Sequence, residues 1–423
     1  MNAFGRGTWT RRKPRVTDPR RVLFLDGLRG LSACYVVLSH CWSTVFPAAL
    51  GIPTPTVVMT AWMGLGRYAV AMFIVLSGYS LGQVLWRNDG RWPGGAGAFL
   101  RGRFRRIVPP YWAAVAIGSV LGLTLLARPV GTLWDGAIAI RPSGVLTHAL
   151  LLQDVYWAGP AGSTAFWSLA IEFHIYLALA LVLILLRPRV RWWPALVVVA
   201  GGLTVAGALA PGHPVLGVVA GMQPGLYGLF VLGLVAARLA LRPDPVARHR
   251  FHTFLGVIGG IGLVAAAATS LRVFDPVAPV HDLWFGPLAV YVVSRLSSAG
   301  STGAWSAAVR MLGRPRLVWL GTISYSLYLT HAFVIEIVFR AVTNRVGEPG
   351  PLMLAVQVVV GLAASIAFAA LFYHLVERRF VSKAHDRAGA AAVERRRLAL
   401  SWRRRPAPAA VAAEPVEPVE PTR

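Results

Sequence analysis

The chain has 423 residues, 56% of them hydrophobic and only 14% charged, with a mean hydropathy of +0.59; an average soluble domain carries about 25% charged residues. A net charge of +25 and a pI near 11.5 would suit a nucleic-acid partner. The arginines, however, stand between apolar stretches rather than on a polar domain, which excludes that class and leaves an all-α polytopic membrane protein whose partner is the lipid bilayer.

Residues 1–21 are polar and basic and read as a cytoplasmic N-terminal segment, not a cleaved signal peptide. A crossing needs about 20 apolar residues. Ten stretches qualify: 24–46, 66–86, 107–127, 166–186, 193–210, 216–237, 253–271, 283–300, 317–339 and 351–374. With both termini in the cytoplasm, 35 of the 42 Lys and Arg residues fall on the inner side and six on the outer side. That asymmetry fixes the orientation and suggests the plasma membrane. The membrane domain is placed at 22–380.

The first span, "FLDGLRGLSACYVVLSHCW", carries Arg29 and His40. Eleven helical steps bring them to one face, about 16 Å apart along the axis. Ionisable groups at this depth face a protein interior or a wet cavity; the plainer readings are a snorkelling arginine and a core histidine. Cys34 and Cys41, seven residues apart in the same helix, are too distant to pair and read as packing residues. In the second span, "FIVLSGYSLG" places Ser77 and Gly78 mid-membrane, where they read as helix packing.

The loop that follows reads "FLRGRFRRIVPPYW". Arg103 and Arg106 are neighbours if this segment is helical, and arginine forks suit phosphate oxygens; a positive-inside anchor is the alternative. The piece 145–157 is too short to cross and is expected to lie at the interface or re-enter. The fourth span opens "FWSLAIEFHIY": Ser168, Glu172 and Tyr176 share a face, while His174 points elsewhere and reads as packing. In the ninth, "LGTISYSLYLTHAF" sets Ser324, Tyr328 and His331 on one face. Glu336 is expected near an outer helix end, reaching the interface. The tail, 381–423, with its Pro-Glu-Val repeat, is expected to be disordered and cytoplasmic. No phosphate-binding Gly loop, HExxH, paired CxxC or nucleophile elbow occurs, and no ligand spacing calls for a metal.

Six pieces in this order are similar to the acyltransferase 3 family of integral membrane acyltransferases: "LDGLRGLSACYVVLSH", "MFIVLSGYSLG", "RGRFRRIVPPYW", "FWSLAIEFHIY", "LGTISYSLYLTH" and "HLVERRF". The resemblance implies an O-acyltransferase that takes an acyl group, commonly acetyl, from cytoplasmic acyl-CoA (acetyl-CoA as the default donor). The acceptor implied is a hydroxyl of an extracytoplasmic or membrane-associated molecule, usually a sugar of a cell-surface polysaccharide. By motif position, Arg29 and His40 are the essential pair of the first helix, Arg103 and Arg106 the paired arginines of the inner loop, and Glu172 the acid of the W-S-L-x-x-E pattern. Phe173 stands where the usual pattern has a second acid. In this reading Arg29, Arg103 and Arg106 receive the anionic donor, and His40 takes the acceptor's proton. Glu172 orients His40 and stabilises its imidazolium; His331 and Tyr328 bind the acceptor or the developing oxyanion, and Ser324, Ser168 and Tyr176 complete the substrate site. Direct transfer and an acyl-histidine intermediate both remain open, as does the acyl chain length. The rival is a secondary transporter or flippase in which His40 and Glu172 relay protons; the matching Gly/Pro-broken spans such a protein shows are not found.

Overall fold

Backbone groups in hydrocarbon must pair within their own segment, and apolar runs of this length do so as helices. The computed structural model describes residues 20–47, 54–185, 193–209, 214–241, 245–269, 278–298, 303–347 and 349–381, and every regular element among them is helical. The chain separates into two compact units, Met1–Phe380 and Val381–Arg423. All fifteen α-helices among the described residues belong to the first; the basic N-terminal segment before Arg20 and the tail beyond Val381 lie outside the described residues.

The helices are α1 (Arg20–Val45), α2 (Pro55–Thr60), α3 (Gly66–Arg87), α4 (Gly95–Leu123), α5 (Pro142–Ala149), α6 (Trp167–Leu185), α7 (Trp193–Leu209) and α8 (Pro214–Gly221). They continue with α9 (Pro224–Leu241), α10 (Pro245–Thr269), α11 (Ala278–Ser297), α12 (Ala304–Leu312), α13 (Pro315–Thr322), α14 (Ser324–Val346) and α15 (Pro351–Leu375). Six stretches are long and apolar enough to cross a membrane: Pro55–Arg87, Gly95–Leu123, Thr164–Leu185, Pro224–Leu241, Ser324–Thr343 and Pro351–Arg379. They cover six of the ten expected spans. The other four fall in α1, α7, α10 and α11, which do not reach that measure among the described residues; in α1 the polar Asp26, Arg29, His40 and several Ser and Thr residues dilute the hydropathy.

Two boundaries differ from expectation. The basic segment expected as a loop is helical, because α4 starts at Gly95 and runs through Arg101–Arg106 and on past Pro109 and Pro110. Its leucine, alanine and arginine content favours helix; the two prolines remove only the N–H partners of the Arg105 and Arg106 carbonyls. The expected span 317–339 is two helices, since the backbone breaks between α13 and α14 at Ile323. The segment 145–157 holds only the end of the eight-residue α5, after which the chain turns.

α1 lies against α3, α12, α13, α14 and α15, so the helix with the most ionisable residues is the best covered. Glycine sets how closely it sits. A Cβ on Gly27 would stand 1.9 Å from the Leu312 carbonyl oxygen, and one on Gly321 would stand 2.0 Å from that of Asp26. At the other end of α1, Ser39 Oγ accepts the Gly66 N–H at 3.0 Å, which brings the start of α3 level with His40.

Candidate functional site

An internal cavity of about 110 Å³ lies among α1, α3, α4, α6 and α14. Arg29, Arg103, Arg106 and Ser324 line it together with Ser77, Glu172, Tyr176, Ser168 and Tyr328. Eight of the ten residues singled out from the sequence therefore face one chamber, although they come from four separate helices.

At one end stand the arginines. Arg29 donates through Nη1 to Asp26 Oδ1 at 2.9 Å and through Nη2 to Ser80 Oγ at 2.7 Å. The i,i+3 spacing on α1 makes the first bond local; the second ties the guanidinium to α3. Arg103 lies over the rings of Phe99 and Tyr176, at 5.9 and 5.7 Å. Its Nε is buried without a hydrogen-bond partner. Among the described residues neither Arg103 nor Arg106 is within ion-pair distance of a carboxylate. A guanidinium held away from water without a close ion pair is costly, and this end of the cavity is cationic.

Mid-cavity, Glu172 accepts hydrogen bonds from Ser77 Oγ at 3.0 Å and from the Tyr176 hydroxyl. Ser77, read from the sequence as a packing residue, is thus a polar wall of the cavity; Gly78 does pack, with its Cα face against Phe230 of α9. Glu172 makes no hydrogen bond to His40 among the described residues, contrary to the expectation that it orients that ring. Its partners are instead Ser77 of α3 and Tyr176 one turn further along α6.

At the far end, Tyr328 donates to the Ala165 carbonyl, and its oxygen is 2.7 Å from Ser168 Oγ. With its only hydroxyl hydrogen committed, Tyr328 accepts from Ser168. Ser324 turns its hydroxyl to the Gly321 carbonyl at 2.8 Å, across the α13–α14 break. Just beyond Tyr328 lies His331, with ring centroids 5.8 Å apart, and beside it His40, at 4.8 Å and an interplanar angle of 75°. The two histidines are not among the residues lining the cavity; Tyr328 connects them to it. His40 and Arg29 both point into the bundle, Arg29 to line the cavity and His40 to meet His331.

Three acids depart from expectation or were not foreseen. Glu336 does not reach an interface: it is 1% exposed, accepting from Arg340 Nε at 2.7 Å and Thr132 Oγ1 at 2.8 Å. A half-buried arginine one turn away on the same helix holds it inside. His174 is not simply packed, for its Nδ1 lies 2.8 Å from Asp154 Oδ2. Glu377 is buried and bound to Ser326; the "HLVERRF" motif was its signal. Among the described residues no group of three or more His, Cys, Asp or Glu side chains comes together as metal ligands do.

A helical bundle whose apolar helices enclose a cationic cavity, with two adjacent imidazoles just beyond Tyr328 in its wall, defines a multi-pass membrane protein with an enzyme-like interior. The acyltransferase 3 family model, described as an acyltransferase domain, matches residues 22–374. The chain belongs to this family and is an acyltransferase of groups other than aminoacyl groups. It is 28% identical over 344 residues to the exopolysaccharide production protein ExoZ of Rhizobium meliloti (strain 1021), covering 76% of this chain and 92% of the relative. It is 23% identical over 379 residues to a Staphylococcus aureus (strain COL) protein named "Putative O-acetyltransferase", covering 84% of this chain. The chain spans 56% of that relative's length. A shorter match, 29% over 133 residues, is to a glycerol-3-phosphate acyltransferase of Maricaulis maris (strain MCS10), covering 30% of this chain and 59% of the relative. No solved structure matches the chain.

Proposed function

We propose that the protein moves an acyl group, acetyl by family resemblance, from acyl-CoA to a hydroxyl of an extracytoplasmic or membrane-associated acceptor, a sugar of a cell-surface glycan. The carrying observation is the polarity of the cavity: Arg103 and Arg106 without carboxylate partners at one end, and His40 beside His331 beyond the other. An anionic, phosphate-bearing donor suits the first end, since charge-assisted arginine bonds to phosphate are strong. A neutral imidazole suits the second, where a hydroxyl must lose its proton. The distribution of Lys and Arg supports a cytoplasmic arginine end, cytoplasmic termini and the plasma membrane. The name of the Rhizobium relative supports a polysaccharide acceptor.

In this mechanism Arg29, Arg103 and Arg106 bind the donor's phosphates, and the thioester reaches past Glu172 to Tyr328. His40 takes the hydroxyl proton as the oxygen attacks the carbonyl carbon. The carbon–sulfur bond breaks, the ester forms, and His40 returns the proton to the departing thiolate. Ser168 and Tyr328 bind the acceptor, while Glu172 fixes Tyr176 and Ser77 along the donor's path. The test is reconstitution in vesicles with labelled acetyl-CoA and a panel of glycan and lipid-linked sugar acceptors. The parent labels an acceptor; His40→Ala and Arg103→Ala, at equal abundance, do not. Passage of an intact solute without transfer of label overturns the reading in favour of a transporter.

A further inference from the structure

His331 is the most completely buried ionisable side chain near the cavity, at 0% exposure, and acceptor binding gives it no task, because a ring so enclosed does not meet a substrate. Its hydrogen bonds define its chemistry. Nδ1 lies 2.8 Å from the Tyr328 carbonyl oxygen and 3.1 Å from that of Leu327. A carbonyl only accepts, so Nδ1 carries the hydrogen and, in the neutral ring, Nε2 carries the lone pair. Nε2 is buried and has no hydrogen-bond partner. The helix that supplies both carbonyls also fixes the ring's rotation, so the lone pair has a set direction.

His40 is the other imidazole here, its ring edge-on at 4.8 Å, and unlike His331 it retains some accessible surface. No carboxylate is hydrogen-bonded to either ring among the described residues, Glu172 being engaged with Tyr176 and Ser77. A general base needs a group behind it that holds its tautomer and shares the charge it acquires; here the carboxylate usual in that place is absent.

We propose that His331 is the positioning partner of His40: its Nε2 lone pair, unpaired in this structure, takes up an N–H of the adjacent His40 ring once substrate is bound and leaves the other His40 nitrogen facing the acceptor hydroxyl as base. The inference rests on the acyl-transfer reading. When the hydroxyl proton moves to His40, the carbonyl carbon gains the acceptor oxygen and loses sulfur, and the same proton passes to the thiolate. His331 keeps its single proton throughout and steadies the transient imidazolium of His40 through the hydrogen bond.

Three substitutions separate this role from packing. His331→Gln carries an acceptor oxygen about as far out as Nε2; His331→Leu fills similar space with no acceptor; His331→Asn reaches the Tyr328 carbonyl but stops short of His40. Each is measured as the full-length protein in vesicles, with labelled acetyl-CoA and the acceptor the parent uses, at matched abundance. The expected result is a kcat loss of about tenfold or more for the leucine variant, partial recovery with glutamine, and donor KM within about twofold of the parent throughout. A packing role predicts leucine at or above glutamine, and that order overturns the proposal, as does a change confined to donor KM. If the leucine variant does not accumulate, glutamine above asparagine supports the partnership, and equality or the reverse overturns it. His40→Ala keeps the two hypotheses apart: its inactivity with all three His331 variants fully active sinks the partnership alone, whereas its full activity sinks His40 as the base.

Discussion

Glu377 Oε2 receives both hydrogens that Ser326 offers, the backbone N–H at 3.1 Å and the hydroxyl at 2.5 Å. The carboxylate comes from the end of the last helix and caps the first turn of α14, where a negative charge is favoured. Four residues further along α14, Thr330 back-bonds to the Ser326 carbonyl at 2.9 Å. Tyr325, beside Ser326, donates to the Ile107 carbonyl of α4 at 2.7 Å. The end of α14 is therefore pinned to α4 and α15, and Tyr328 and His331 inherit their positions from that knot.

Removing the Glu377 side chain should loosen it. Glu377→Ala leaves the Ser326 N–H and hydroxyl buried without acceptors, a loss of about 1.5–3 kcal/mol for a bond to a charged group. Glu377→Gln keeps an acceptor oxygen and should cost less. Thermal unfolding of the detergent-solubilised protein, followed by tryptophan fluorescence, should rank parent above Gln above Ala. An alanine variant as stable as the parent would show that α14 is held by packing alone.

The arginine end predicts the opposite sign for stability. Arg103 is a guanidinium with a buried, unbonded Nε and no ion pair among the described residues. Replacing a poorly compensated buried charge with an apolar side chain of similar size is neutral to stabilising. Arg103→Leu should therefore melt at or above the parent's temperature while donor KM rises about tenfold or more, the worth of one charge-assisted bond. Acceptor KM should stay unchanged. A variant that unfolds early and binds donor normally would make Arg103 a structural residue.

Much of this was legible in the sequence because helical periodicity is a local rule. Counting 100° per residue sets Ser168, Glu172 and Tyr176 together on α6, and Ser324, Tyr328 and His331 together on α14; all of these except His331 line one cavity, and His331 lies just beyond Tyr328. Periodicity says nothing of which helix stands opposite, so it does not reveal that the hydrogen-bond partners of Glu172 are Ser77 and Tyr176 rather than His40. Nor does hydropathy reveal that an arginine one turn away satisfies an acid inside the bundle, so Glu336 reads from the sequence as an interfacial residue when it is buried against Arg340. Ser77 was undervalued for a related reason: its neighbour Gly78 does pack against α9, and one serine beside a packing glycine carries no separate sign of facing a cavity.

Gly78 offers a contrast within the same bundle. A Cβ there would stand 2.1 Å from the Phe230 carbonyl oxygen, which belongs to backbone and cannot swing aside. Gly102, at an exposed position of α4, has nothing within 4 Å of the same position. Gly78→Ala should push α3 from α9, reducing the folded yield and lowering the melting temperature. Gly102→Ala should gain about 0.5–1 kcal/mol from helix propensity. Equal melting temperatures for the two variants would contradict the close α3–α9 approach.

The Glu336–Arg340 pair yields a test in which two changes are milder than one. Glu336 Oε1 accepts from Arg340 Nε at 2.7 Å and Oε2 from Thr132 at 2.8 Å, and Arg340 Nη2 reaches the Leu126 carbonyl at 3.4 Å. Together these bonds hold the 124–141 segment against α14. Losing only the arginine strands a carboxylate that is 1% exposed, and breaking a buried pair from one side costs about 3–5 kcal/mol. Replacing both members with apolar side chains removes the stranded charge along with the attraction. Arg340→Met should therefore be the less stable protein, and Arg340→Met with Glu336→Leu should recover most of the loss, giving a coupling of about 1–3 kcal/mol in a double-mutant cycle. Neither residue lines the cavity, so the double variant should also keep the parent's kcat in the vesicle assay. Simple additivity of the two single losses would mean that Thr132 and the Leu126 carbonyl, rather than the ion pair, carry the attachment.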